Sequence, residues 1–227
     1  MAFAAAARKF VSLLVFSSLG TLAAAAPHPG YGSLPLRFEP NVGQMDGQVL
    51  YRSQAAGHDL FLTREEAVVA VRGAAAPLRI RLLGGRPPRR IAGEDVLPGR
   101  THYYLGNDPG RWRTHVAAYG RVRYEQVYPG IDLVYYGSAR QLEYDFVVAP
   151  GADPSAIAWE VSGADGLRLS AEGDLVLASG PGEIRQRRPL LYQEKDGKRE
   201  VIGGGYVLRG GTRVGFQIGQ ACFRKSE

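Results

Sequence analysis

The stretch Ile131-Asp132-Leu133-Val134-Tyr135-Tyr136-Gly137-Ser138-Ala139-Arg140-Gln141-Leu142-Glu143-Tyr144-Asp145-Phe146-Val147-Val148 decides the fold. Two apolar series run through it with a period of two: Ile131, Leu133 and Tyr135, then Leu142, Tyr144, Phe146 and Val148. Successive side chains of a strand point to opposite faces, so each series is one face of a half-buried strand. Ser138 to Gln141 join the two. Residues directly opposite in an antiparallel pair share a face. A four-residue loop therefore sets Tyr135 against Tyr144, Leu133 against Phe146 and Ile131 against Val148. A loop one residue different would set Leu133 against Asp145 and mix the faces. The four-residue loop is the consistent reading, with the apolar series inward and Asp132, Glu143 and Asp145 outward.

The same alternation recurs on both sides of this hairpin. Leu78-Arg79-Ile80-Arg81-Leu82 separates apolar residues from arginines, and Val122 and Tyr124 alternate with Arg121, Arg123 and Glu125. Downstream, Leu167–Leu169 and Leu175–Leu177 flank a turn at 171–174. Asp196-Gly197 divides Leu191–Gln193 from Glu200–Ile202, and Gly210-Gly211 divides Tyr206–Leu208 from Val214–Phe216. Asp-Gly and Gly-Gly allow the positive φ that tight hairpins need. Thr63, with Glu66 three residues on, marks a capped turn at Thr63–Ala67. Asn107-Asp108-Pro109-Gly110 is a turn by composition. No helical stripe competes with these signals in the rest of the chain. The fold class is all-β: an antiparallel sandwich or meander of many short hairpins, after an N-terminal signal helix. The final strand, Val214–Ile218, is expected to be paired on one side only, by its hairpin with Tyr206–Leu208.

Composition bounds what such a chain can be. Gly and Pro make up 44 of 227 residues, high but short of a low-complexity chain. Collagen, coiled coil and a polytopic membrane protein are excluded. The single cysteine, Cys222, excludes an internal disulfide framework and a cysteine-built zinc site. The first 25 residues read as a secretory leader: basic Arg8-Lys9, an apolar run from Phe10 to Leu22, and the small-residue exit Ala23-Ala24-Ala25. A helix over that run covers only about 20 Å of a hydrocarbon core about 30 Å thick, too short for a stable anchor. Residues 26–33 read as a linker and 34–219 as the β-rich domain, divisible into halves at about 34–125 and 126–219. Residues 220–227 read as a disordered tail. Cleavage after Ala25 lowers the formal charge from +6 to +4. The arginines are mostly spread as singles beside strands, so nucleic acid is not the expected partner.

Few residues carry a chemical signal. Glu143 and Asp145 lie about 7 Å apart along their strand, a spacing at which two carboxylates can flank a glycosidic bond or hold calcium, and which is equally that of a solvated polar face. The middle of the chain is rich in aromatics, including Trp112 and Tyr136. Exposed, these would form a stacking platform for carbohydrate; buried, they would be core. The candidate ligand surface is Trp112, Tyr136, Asp132, Glu143 and Asp145. Neither His102 nor His115 has a metal-ligand spacing. Nucleophile elbow, phosphate-loop and dinucleotide motifs do not occur. No catalytic residue, metal or cofactor is expected.

Several strings resemble a domain of unknown function found at the N-terminus of exported bacterial proteins that carry SBBP-type β-propeller repeats. They are LPLRFEPNVGQ from Leu34, DLFLTREEAVVAVR from Asp59, HYYLGNDPGRWRTHVAAYGRVRYEQVYPGIDLVYYG from His102, QLEYDFVVAPGADPSAI from Gln141, GDLVL from Gly173 and RPLLYQEKDGKREVIGGGYVLRGGTRVGFQIG from Arg188. The resemblance implies a secreted or cell-surface module with no assigned reaction; the partner stays open, an extracellular protein and a glycan being the candidates. The repeats that usually follow are replaced by the closing string Gln220–Glu227, so the chain is expected to be a truncated or frame-shifted N-terminal part of such a protein, or a stand-alone copy of that domain.

Overall fold

A computed structural model describes residues 10–19, 35–55, 57–138, 141–180, 182–195 and 198–219. The central hairpin has the register that the alternation demands. In β9 (Ile131–Ser138) and β10 (Gln141–Val148), Tyr135 faces Tyr144, Leu133 faces Phe146 and Ile131 faces Val148. All seven apolar residues of the two series are buried.

From β9 the antiparallel ladder extends through β8 (Arg113–Tyr128) to β7 (Arg90–Tyr103). A second layer runs, in spatial order, through β17 (Gly204–Leu208), β18 (Arg213–Ile218), β11 (Ala158–Ser162), β6 (Leu78–Leu82), β5 (Glu66–Val71), β4 (His58–Leu62), β3 (Tyr51–Ala55) and β2 (Phe38–Pro40). A single bridge from Phe38 of β2 to Tyr119 of β8 turns the corner between the layers. The two layers face each other across a core of rings. Trp159 of β11, 1% exposed, stacks on Phe146 of β10 at 6.4 Å, and meets Phe216 at 5.0 Å and Tyr206 at 5.9 Å. Each such pair adds about 0.5–1.5 kcal/mol to the area it buries. Strands from 34–125 and 126–219 interleave, because β6 pairs with β11 and β8 with β9.

The turn signals act as their chemistry suggests. Thr63 Oγ1 accepts the N–H groups of Glu65 and Glu66, closing the hairpin between β4 and β5. Asp108 caps a short 3-10 turn at Pro109–Arg111. The arginines of β6 point outward and pair with Glu66 and Glu160. Exposed ion pairs of this kind are worth about 0–1 kcal/mol.

Two expectations are corrected. Strand β18 is not paired on one side only: besides β17 it pairs with β11, Trp159 lying opposite Val214. The core needs this, because Trp159 and Phe216 are in ring contact across that seam. In the run that reads as a secretory leader, Phe10–Leu19 is a strand, β1, rather than the expected helix. It pairs with β10 on one side, and on the other with β14 (Gly182–Gln186) and β15 (Leu190–Lys195). The physical reason is the edge of β10, whose backbone groups β1 pairs and which is left open to solvent when this segment is absent. Val11, Val15 and the two phenylalanines of this run are residues that suit a strand. The ends of the leader, the linker and the tail at 220–227 lie outside the described residues. Beyond β14 and β15 the layer continues as β13 (Leu175–Ser179), β12 (Gly166–Leu169) and β16 (Lys198–Ile202). Among the described residues no helix is long and apolar enough to cross a membrane, a statement that does not bear on β-barrels.

Candidate functional site

The outward positions of β9 and β10 bring three of the five candidate residues together. Tyr136 lies directly opposite Glu143, and its hydroxyl donates to Asp145 Oδ1 at 3.0 Å. The Arg121 guanidinium sits 5.9 Å from the Tyr136 ring centre and also pairs with Asp95 at 2.7 Å. Half-burial, and then the neighbouring Asp145 charge, push the Glu143 carboxyl above its ordinary range. The Tyr136 phenol is pushed up by burial and by the same carboxylates. The pair is therefore partly desolvated and bound by a phenol on its own sheet.

Asp132 shares this face but has another task. It accepts the Gln126 N–H at 2.8 Å and lies 3.4 Å from Arg123, which also holds Glu94 at 2.7 Å. Gln126 has φ 59° and sits in the irregular stretch of β8 between Tyr124 and Tyr128. Asp132 thus pins a bulge. Trp112 belongs elsewhere. It precedes the first residue of β8, ten residues before Val122, where the pairing with β9 begins; at strand rise that is roughly 30 Å. There it meets Tyr104, 62% exposed, edge-on at 5.1 Å and 87°, and His102 and His115 lie beside them.

Two further groupings left no local mark in the sequence. Glu39 of β2 accepts from both Thr101 Oγ1 and Tyr103 Oη of β7, more than sixty residues away. Burial, then Glu39, pushes the Tyr103 phenol up to about 12. The second grouping is a cleft of about 240 Å³ where the two layers part. Its floor is Ile80 and Leu82 of β6, Tyr124 of β8, and Leu133 and Tyr135 of β9; its mouth carries Arg64 and Arg86. A smaller void of about 20 Å³ shares Ile80, Leu82, Leu133 and Tyr135 with it and is also lined by Trp159. The hydrophobic alternation places each floor residue inward, but only the distance between layers opens the space. Among the described residues, no group of three His, Cys, Asp or Glu side chains could hold a metal ion.

The comparisons with known proteins end at the level of family. No curated protein and no solved structure matches the chain. One family model, a domain of unknown function (DUF7948), matches residues 38–226. That is most of the chain, including both layers of the sandwich, the acidic pair on β10 and the cleft between the layers, and the protein belongs to the DUF7948 family.

Proposed function

We propose that the chain is an exported, non-catalytic β-sandwich module of a secreted or cell-surface bacterial protein, the N-terminal part of one that carries β-propeller repeats, with a structural or interaction role. The observation that carries the non-catalytic part is the placement of the aromatics. Trp159, Tyr124, Tyr128, Tyr144, Phe146 and Phe216 are buried and pack the layers together. Glu143 and Asp145 are engaged by Tyr136 on an outer face, where burial and then the Asp145 charge raise the proton affinity of Glu143. Acid–base cleavage needs two carboxyls held in different environments across a substrate. The leader pattern in residues 1–25 and the resemblance of the strings from Leu34 to Gly219 support export.

Carbohydrate binding is the second reading, and Tyr104 beside Trp112 is the observation that favours it. Their edge-on geometry presents one ring face rather than a flat double platform. A glycan array on the full chain tests it: specific binding lost in Tyr104→Ala would replace the structural reading. Export is tested by mass spectrometry of protein recovered outside the cytoplasm. A new N-terminus at or near Ala26 is expected, and a chain retaining Met1 in the cytosol would refute it.

A further inference from the structure

We propose that the cleft between the layers is a binding site for a small amphipathic anion: a carboxylate on an apolar body of about ten carbon atoms. Size comes first. A cavity of about 150 Å³ holds benzene, so 240 Å³ holds about ten carbons at the same packing. The floor is apolar and aromatic, as small-molecule sites generally are.

The second observation is a hydroxyl. Four of the six buried tyrosines have hydrogen-bonded phenols among the described residues. Tyr124 donates to Thr63 O at 2.7 Å, and Tyr128 lies 2.8 Å from Ala158 O. Tyr144 and Tyr206 share the Gln186 amide. Tyr135 is only 8% exposed, yet its hydroxyl has no hydrogen-bond partner among the described residues. The sealed, partnerless side-chain polar atoms are Arg52 Nε, Ser53 Oγ and His58 Nδ1. Tyr135 Oη is not one of them, and Tyr135 lines both the cleft and the inner void. A buried polar group of this kind costs free energy unless something pairs with it. A second oxygen at the inner end of the bound molecule would do so, in addition to the carboxylate held at the mouth.

The third observation is the charge at the mouth. Arg64 and Arg86 are exposed, and neither has an ion-pair partner among the described residues. Of the other charges on the lining, Arg81 is held by Glu160 and Glu66 by Arg79, which leaves Glu65 as the opposing charge. Two guanidiniums against one carboxylate favour an anion at the entrance, where a carboxylate can take a bidentate contact. The polarity of the site therefore runs from cationic rim to apolar floor to a single inner donor.

The test is calorimetric titration of the full chain with decanoate, decan-1-ol and 10-hydroxydecanoate. Decanoate is expected to bind one to one, and decan-1-ol at least tenfold more weakly. The double change Arg64→Glu and Arg86→Glu, both at exposed positions, should abolish the preference for decanoate with the melting temperature unchanged. Tyr135→Phe keeps the ring and removes the hydroxyl. It should weaken 10-hydroxydecanoate several-fold and leave decanoate unaltered. The proposal is overturned if no probe binds, if the alcohol and the acid bind equally, or if the double variant binds decanoate as the wild type does. None of these outcomes depends on export or on glycan binding.

Discussion

The inner and outer faces of the β9–β10 hairpin are made by the same eighteen residues of backbone and behave as different materials. Inward, Leu133, Tyr135, Tyr144 and Phe146 are buried against the opposite layer, and a change there is felt through Trp159. Outward, Asp132, Tyr136, Glu143 and Asp145 are half-buried, charged or polar, and tied to neighbours on their own sheet. The difference teaches that period-two alternation sorts residues by face, and that the facing layer then decides how much each face matters to stability.

The comparison is broken most severely by putting an outer residue type inside. Phe146→Asp places a carboxylate between Trp159 and Tyr144. An unpaired buried charge costs several kcal/mol, a large share of the roughly 5–15 kcal/mol that holds a domain together. Loss of the cooperative urea transition is expected. A stably folded variant would mean that Phe146 is not core.

A smaller effect is expected at the backbone between the faces. Gly137 has φ 144°, and a Cβ there would lie 2.1 Å from the Gln141 carbonyl oxygen. Gly137→Ala should cost about 2–3 kcal/mol, from strain and a shifted hairpin end. The midpoint of urea unfolding measures it, and an unchanged midpoint would show that the turn relaxes freely.

On the outer face the expected changes are small. Asp145→Asn and Tyr136→Phe each remove part of one partly solvated hydrogen bond and should alter stability by less than about 1.5 kcal/mol. If Asp145→Asn is as damaging as Phe146→Asp, the assignment of faces fails.

The smallest effect is one of pH. Glu143 has a folded-state proton affinity above its ordinary value, so the folded state holds the proton where the unfolded chain has already lost it. Its contribution is present below the ordinary carboxylate range and is lost as pH rises through the window just above it. Glu143→Gln should therefore raise the melting temperature slightly at pH 7 and leave it unchanged near pH 3. An equal change at both values would assign the effect to packing rather than charge.

Much of this architecture was legible in the residues themselves. The register of β9 and β10, the all-β class, the outward arginines of β6 and the turns at Thr63 and Asp108 follow from side-chain alternation and turn chemistry, which act over a few residues. So did the company of Tyr136, Glu143 and Asp145, because pairing partners across a short hairpin are set by its loop length. Contacts between strands distant in the chain were not legible. The pairing of β18 with β11, the place of β1 beside β10, the hold of Thr101 and Tyr103 on Glu39, and the removal of Trp112 from the acidic pair each depend on which layers meet. The cleft is the clearest case. Alternation turns Ile80, Leu133 and Tyr135 inward, but whether inward residues close into solid core or leave room for a guest is decided only by the spacing of the two layers. No local sequence signal encodes that spacing, because it arises from how side chains on strands distant in the chain fill the space between the layers.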